Sequence, residues 1–147
     1  MAGELILVVE DNEKNRKLVR DVLTFKGYQV IESETGEDGV RLAKERLPKL
    51  VLMDIQLPGI DGIEALRRIR ADEATRGIPV VAVTASAMDR DRQQIMAAGF
   101  DGYQSKPLNV KEFMAAVEST LAKGPDSLRD RSAGGVGGPS RSPDSNG

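Results

Sequence analysis

Five short apolar runs punctuate the first 123 residues, and amphipathic stretches separate them. The runs are Leu5-Ile6-Leu7-Val8-Val9, Tyr28-Gln29-Val30-Ile31, Leu50-Val51-Leu52-Met53, Val80-Val81-Ala82-Val83 and Gly102-Tyr103-Gln104-Ser105. Three of them are unbroken by any polar residue, which suits strands covered on both faces of a parallel sheet. Between the runs, apolar residues return at helical spacing. Leu18, Val19, Val22 and Phe25 mark a first helix, stopped by Gly27. Val40, Ala43 and Leu47 mark a second before Pro48, and Ile63, Leu66 and Ile69 a third. A fourth opens near Asp89 and closes at Gly99, with Ile95 and Ala98 as its apolar face. The last runs from Asn109 to about Lys123 with Val110, Phe113, Met114, Val117 and Leu121 inward, and Asn109 with Glu112 forms a capping-box pattern. Strand and helix alternating five times means an α/β domain with a doubly wound, five-stranded parallel sheet. The strand order is not written in the sequence; 2-1-3-4-5, the flavodoxin-like order, is the common solution at this size.

From Gly124 the composition changes. Residues 124–147 are Gly-, Ser- and Pro-rich with balanced charges, and Leu128 and Val136 are the large apolar residues among them. Such a stretch buries too little surface to offset its ordering entropy, so 1–123 is expected to be the domain and 124–147 a disordered tail or a linker cut short. The chain has no Cys and no His. That removes disulfides, zinc sites of Cys/His type, thiolate nucleophiles and every imidazole base. The net charge of -2 leaves no basic footprint for nucleic acid. No run approaches the roughly 18 apolar residues of a membrane span, and the N-terminus lacks a signal-peptide pattern. A cytoplasmic protein that binds neither nucleic acid nor membrane is expected.

In a doubly wound sheet, ligands bind outside the carboxyl ends of the strands, where the strand order reverses. Three acids fall there. Glu10 and Asp11 follow the first run, and Asp54 follows the third directly. The fourth and fifth runs end in Thr84 and Lys106. Read singly, each residue has a plainer explanation. Glu10 and Asp11 suit a helix N-terminus; Asp54 suits a turn before Pro58-Gly59. Thr84 is a β-branched strand residue, Lys106 a surface lysine and Tyr103 packing. Arg67, Arg68 and Arg70 read as a solvated helix face, and Met88, Met96 and Met114 as packing.

Read together, they are harder to explain structurally. At about 5 Å and an effective dielectric of 20, each carboxylate pair repels by roughly 3 kcal/mol. A divalent cation together with the Lys106 ammonium would cancel the three negative charges. Oxygen donors without His or Cys favour Mg²⁺ over zinc, and Mg²⁺ typically joins one or two carboxylates to a phosphate. A carboxylate can itself attack phosphorus, and phosphoryl transfer then needs mainly positioning and charge neutralisation. An ionised Asp54 needs no base.

The segments Val9-Glu10-Asp11-Asn12, Met53-Asp54-Ile55-Gln56-Leu57-Pro58, Asp61-Gly62, Val83-Thr84-Ala85 and Lys106-Pro107 resemble the response-regulator receiver (CheY-like) family, in its order and across residues 4 to 122. The resemblance implies that Asp54 is the phosphoacceptor, that Asp11 binds Mg²⁺ directly and Glu10 through water, and that the Gln56 carbonyl is a further ligand. It implies that Thr84 moves toward the phosphoryl group, that Tyr103 occupies the aromatic switch position and that the bond before Pro107 is cis. The donor would be a sensor histidine kinase or histidine phosphotransfer protein. A downstream protein would read the face of helix 4, strand 5 and helix 5. Glu10-Asp11-Asn12-Glu13-Lys14-Asn15 and Val83-Thr84-Ala85-Ser86-Ala87-Met88 are similar to a subgroup holding hybrid-kinase receivers and single-domain regulators, so a stand-alone receiver is expected. Gln56 and Ser86 sit where the family tunes the phosphoryl lifetime.

Two other readings remain open at this level. A Mg²⁺-dependent aspartyl-phosphate phosphatase or phosphotransferase uses the same nucleophile but generally needs a second acid, where this chain has Gln56, and a cap. A flavodoxin-like cofactor protein would need a Gly-rich or Ser/Thr-rich phosphate loop after strand 1, which this chain lacks, and intact Glu10, Asp11, Asp54, Thr84 and Lys106 argue against a binding module that lost its chemistry.

Overall fold

The computed structural model describes residues 3–85 and 89–133; residues 89–90 and 124–133 are described by their backbone alone. Five strands, β1 (Leu5–Val9), β2 (Gln29–Ser33), β3 (Leu50–Asp54), β4 (Val80–Thr84) and β5 (Gly102–Ser105), form one parallel sheet in the order β2-β1-β3-β4-β5. The helices are α1 (Glu13–Phe25), α2 (Gly36–Arg46), α3 (Gly62–Ala71), α4 (Asp89–Ala97) and α5 (Val110–Ala133). The expected architecture and strand order are those observed.

The alternation of side chains along each strand divides the interior into two layers. Leu7, Val9, Val51, Met53, Val80 and Ala82 pack beneath Ala43, Ala65, Leu66, Ile69 and Ile95. Ile6, Val8, Leu50, Leu52 and Val81 pack beneath Val19, Leu23, Phe113, Met114 and Val117. β3 and β4, the strands that carry Asp54 and Thr84, are buried along their whole length. Asp54 and Thr84 are thus the last residues of buried central strands.

Several expectations are corrected at the helix faces. α1 buries Val19 and Leu23, whereas Leu18 and Phe25 are 42% and 88% exposed. The buried stripe follows the i, i+4 pair that meets the sheet, and Phe25 lies past it. Leu47 caps α2 in a left-handed conformation (φ 48°) and is exposed. Ala98 is exposed beyond the end of α4, while Ile95 is buried. Val110, the first residue of α5, is exposed, because the face that meets the sheet begins at Phe113. Met114 is buried but Met96 is partly exposed. Arg67 and Arg68 lie on a solvated face and pair with Glu64; Arg70 does not share that face, being drawn inward to carbonyls and to Asp101.

The backbone of α5 runs past the expected boundary at Gly124 as far as Ala133. It does so through Gly124 and Pro125, residues that disfavour a helix interior, and local propensity does not explain the continuation. The rest of the expected tail, 134–147, lies outside the described residues, as do Ser86, Ala87 and Met88.

Candidate functional site

The site begins with a cap. Asn12, rather than either acid before it, is the N-cap of α1; its side chain accepts the Asn15 N–H at 3.0 Å. Glu10 therefore remains available at the end of β1, where it is buried and accepts the Asn12 N–H on Oε2 (3.1 Å). Asp11 beside it is exposed. β1 and β3 are parallel neighbours with Val9 opposite Met53, so Asp54 emerges next to Glu10. One carboxylate oxygen from each of Glu10, Asp11 and Asp54 lies within 4.8 Å of the others. The convergence expected from strand order is observed.

Lys106 reaches this cluster from across the sheet. Its backbone N–H donates to the Thr84 carbonyl at 2.8 Å, extending the β4–β5 ladder by one residue. The peptide bond that follows, to Pro107, is cis. Its Nζ lies 2.8 Å from Glu10 Oε1 and 3.1 Å from Asp54 Oδ2. The other Asp54 oxygen, Oδ1, accepts the Gln56 N–H at 3.2 Å. The turn expected of an Asp before Pro58-Gly59 and its place in the acidic cluster are thus both realised, one on each oxygen.

Burial pushes the Glu10 carboxyl up, and the Asp54 charge adds to this, against the lowering effect of its bonds to Lys106 and the Asn12 N–H. Burial pulls the Lys106 ammonium down, but the bonds and charges of Glu10 and Asp54 outweigh it and hold its pKa above the usual value. The ammonium accordingly stays charged at neutral pH. Three acids face one lysine, so with all four ionised the rim carries two net negative charges. Its donors are carboxylate oxygens, a set that fits a hard divalent cation.

Thr84 is buried at the end of β4, one residue beyond Val83, the register partner of Asp54. Tyr103, on β5 opposite Ala82, is half-buried against the layer that holds α3 and α4. Glu37, which the sequence does not single out, reaches the β3–α3 loop: its Oε2 accepts the Ile60 N–H at 3.1 Å. The contact joins residues 23 positions apart, so no local pattern could have marked it.

A protein-family model described as the response regulator receiver domain matches residues 6–118. The polar-differentiation response regulator DivK of Brucella ovis is 44% identical over 116 residues, which cover 79% of this chain and 94% of that protein. DivK of Brucella anthropi is 43% identical over the same span. Among solved structures, the receiver domain of a sensor histidine kinase from Pseudomonas aeruginosa, described with a magnesium ion coordinated in its active-site cleft, aligns with a TM-score of 0.77. It is 36% identical over 82% of this chain and 99% of that one. A CheY-like receiver domain protein from Methanospirillum hungatei aligns with a TM-score of 0.74 at 27% identity, covering 83% of this chain and 96% of that one.

Proposed function

The chain belongs to the response regulator receiver family and serves two-component signalling, and we propose that Asp54 is the residue on which it takes up a phosphoryl group. Receiver domains take that group from histidine kinases or phosphotransfer proteins. For this chain, which has no His, the phosphohistidine belongs to the partner. An oxygen of Asp54 attacks the phosphorus, the P–N bond breaks, and its electron pair returns to the partner's imidazole. An acyl phosphate results.

The observation that carries this reading is the double contact of Lys106, bonded to Asp54 and Glu10 at once beside the exposed Asp11. Lys106 orients the Asp54 carboxylate before transfer and offsets charge on the phosphoryl oxygens after it. Asp11, Glu10, Asp54 and the Gln56 carbonyl would hold Mg²⁺. Bound there, the ion supplies further neutralisation of the phosphoryl charge. Thr84 would donate its hydroxyl to a phosphoryl oxygen, with Tyr103 as the aromatic partner of that shift on the neighbouring strand. The face of α4, β5 and α5 then presents a changed surface to a downstream protein. Residues 1–123 form the receiver unit in this account, in keeping with a family match that ends at 118. No helix among the described residues is long and apolar enough to cross a membrane, which fits a cytoplasmic site of action. The family match favours a signalling role over a phosphatase; Gln56 supplies no second acid beside the nucleophile.

The test is intact mass after incubation with Mg²⁺ and a small acyl-phosphate donor. The parent should gain one phosphoryl group, while Asp54→Asn, or the parent in chelator, should gain none. A gain that persists in Asp54→Asn would remove Asp54 from this role.

A further inference from the structure

We propose that Glu37 is a positioning residue for the phosphorylation site, holding the loop between β3 and α3 so that the Gln56 carbonyl faces the acidic cluster. The proposal rests on the reading of Gln56 and Asp54 given above.

The loop is fastened at its inner end by β4, by Asp54 at the end of β3 and by the first residue of α3. Ile55 N–H donates to the Val83 carbonyl (3.1 Å), Gln56 N–H to Asp54 Oδ1 (3.2 Å), and Gly62 N–H returns to the Ile55 carbonyl (2.8 Å). That return is close: a Cβ at Gly62 would lie 2.3 Å from the Asp54 carbonyl oxygen. The outer end, residues 57–60, projects from the sheet and meets the first turn of α2. There Glu37 Oε2 accepts the Ile60 N–H. Gly59 adopts φ +75°, and a Cβ on it would lie 2.6 Å from the same carboxylate oxygen. On the other side, a Cβ at Gly36 would lie 2.8 Å from Ile60 Cγ1 and 2.9 Å from the Ile60 carbonyl oxygen. Two successive residues of α2 are therefore fitted to two successive residues of the loop, one by a hydrogen bond and one by close contact. Three residues separate Ile60 from Gln56, so loss of the Glu37 contact loosens the outer end and leaves the carbonyl direction to the Gln56 N–H bond and to the packing of Leu57 and Ile60 against the core. Groups that orient a metal ligand without touching the metal commonly affect affinity strongly.

A plainer role for Glu37 is an acid in the first turn of α2, where Asp38 stands with it and negative charge suits the helix dipole. The two roles make different demands. A latch needs an acceptor oxygen, which Gln also offers; a dipole effect needs the charge, which Gln lacks.

The full chain carrying Glu37→Ala should bind Mg²⁺ about tenfold more weakly by calorimetry. The Ile60 amide should exchange with solvent faster, with or without the ion. Glu37→Gln should stay close to the parent in both. Equal losses in the Ala and Gln variants would assign Glu37 to the helix charge and overturn the latch, as would an Ala variant with parental affinity. Should the parent itself bind no Mg²⁺, the reading of the site fails, and Ile60 exchange still decides the contact: faster exchange in Glu37→Ala supports the latch, and an unchanged rate overturns it.

Discussion

Two charge clusters stand at opposite ends of the same sheet, and their cations are equally sheltered: the Lys106 and Arg70 side chains are each 19% exposed. Exposure does not separate them, but charge balance does. At the amino ends of β4 and β5, Arg70 donates to the carbonyls of Arg76 (3.0 Å) and Ile78 (2.6 Å) and to Asp101 Oδ2 (2.8 Å). Asp101 Oδ2 also accepts the Val80 N–H at 2.9 Å. Here a cation is matched by an anion, and backbone groups take up further bonds. At the carboxyl ends, one lysine pairs with two acids, Glu10 and Asp54, and a third, Asp11, stands beside them. The first cluster ties α3 and the starts of two strands together; the second leaves negative charge over for something the chain does not itself supply. A hollow of about 510 Å³ lies beside the Arg70 cluster, and one of about 100 Å³ is lined by Glu10 and Lys106.

Substitutions should separate the two ends by sign as well as size. Arg70→Ala removes the part-buried ion pair with Asp101 and the donor to two carbonyls, and should cost about 3 kcal/mol in urea unfolding. Lys106→Met leaves Glu10 and Asp54 facing each other and should cost about 2 kcal/mol in chelator. Mg²⁺ should recover part of that cost, whereas it should recover none of the loss in Arg70→Ala. Asp54→Ala should act in the opposite direction. Lys106 keeps Glu10 as a partner, and the repulsion of two acids by a third is relieved, so the metal-free fold should gain about 1 kcal/mol. A loss there as large as that of Arg70→Ala would place both ends in one structural class.

The smallest effect belongs to a solvated cluster on α3 that resembles neither end. Arg67 and Arg68 hold the Glu64 carboxyl at a pKa of about 2. A folded-state value below the ordinary 4.5 means the stabilising contribution is full above that ordinary value and is lost as pH falls through about 2. Water screens it throughout. Glu64→Gln should therefore shift the melting temperature only slightly at neutral pH and still less near pH 2. A shift rivalling that of Lys106→Met would contradict the weight placed here on burial.

The sequence makes the carboxyl-end cluster legible because β3 runs apolar from Leu50 to Met53 and then stops at an acid. Strand ends are local facts, and strand order brings them together. The amino-end cluster is not legible in that way. Arg70 stands beside Arg67 and Arg68 in the sequence and shares their helix, yet its partner Asp101 lies 31 residues on. The Glu37–Ile60 contact is hidden for the same reason. Leu18 and Phe25 mislead in the other direction, since helical spacing marks an apolar stripe without saying which part of it the sheet covers. The cap of α1 is a finer case: three neighbouring residues, Glu10, Asp11 and Asn12, could each serve, and backbone geometry selects Asn12.

The central claim is that the unbalanced charge of the carboxyl-end rim is there for a divalent cation. Calorimetric titration with Mg²⁺ of the metal-free parent beside Asp11→Asn tests it most directly, because exposed Asp11 has no bond to Lys106 to lose. The parent should bind one Mg²⁺ per chain and Asp11→Asn should bind far more weakly, with the same unfolding transition. A parent that takes up no Mg²⁺, or an Asp11→Asn variant that binds it equally well, would contradict the account.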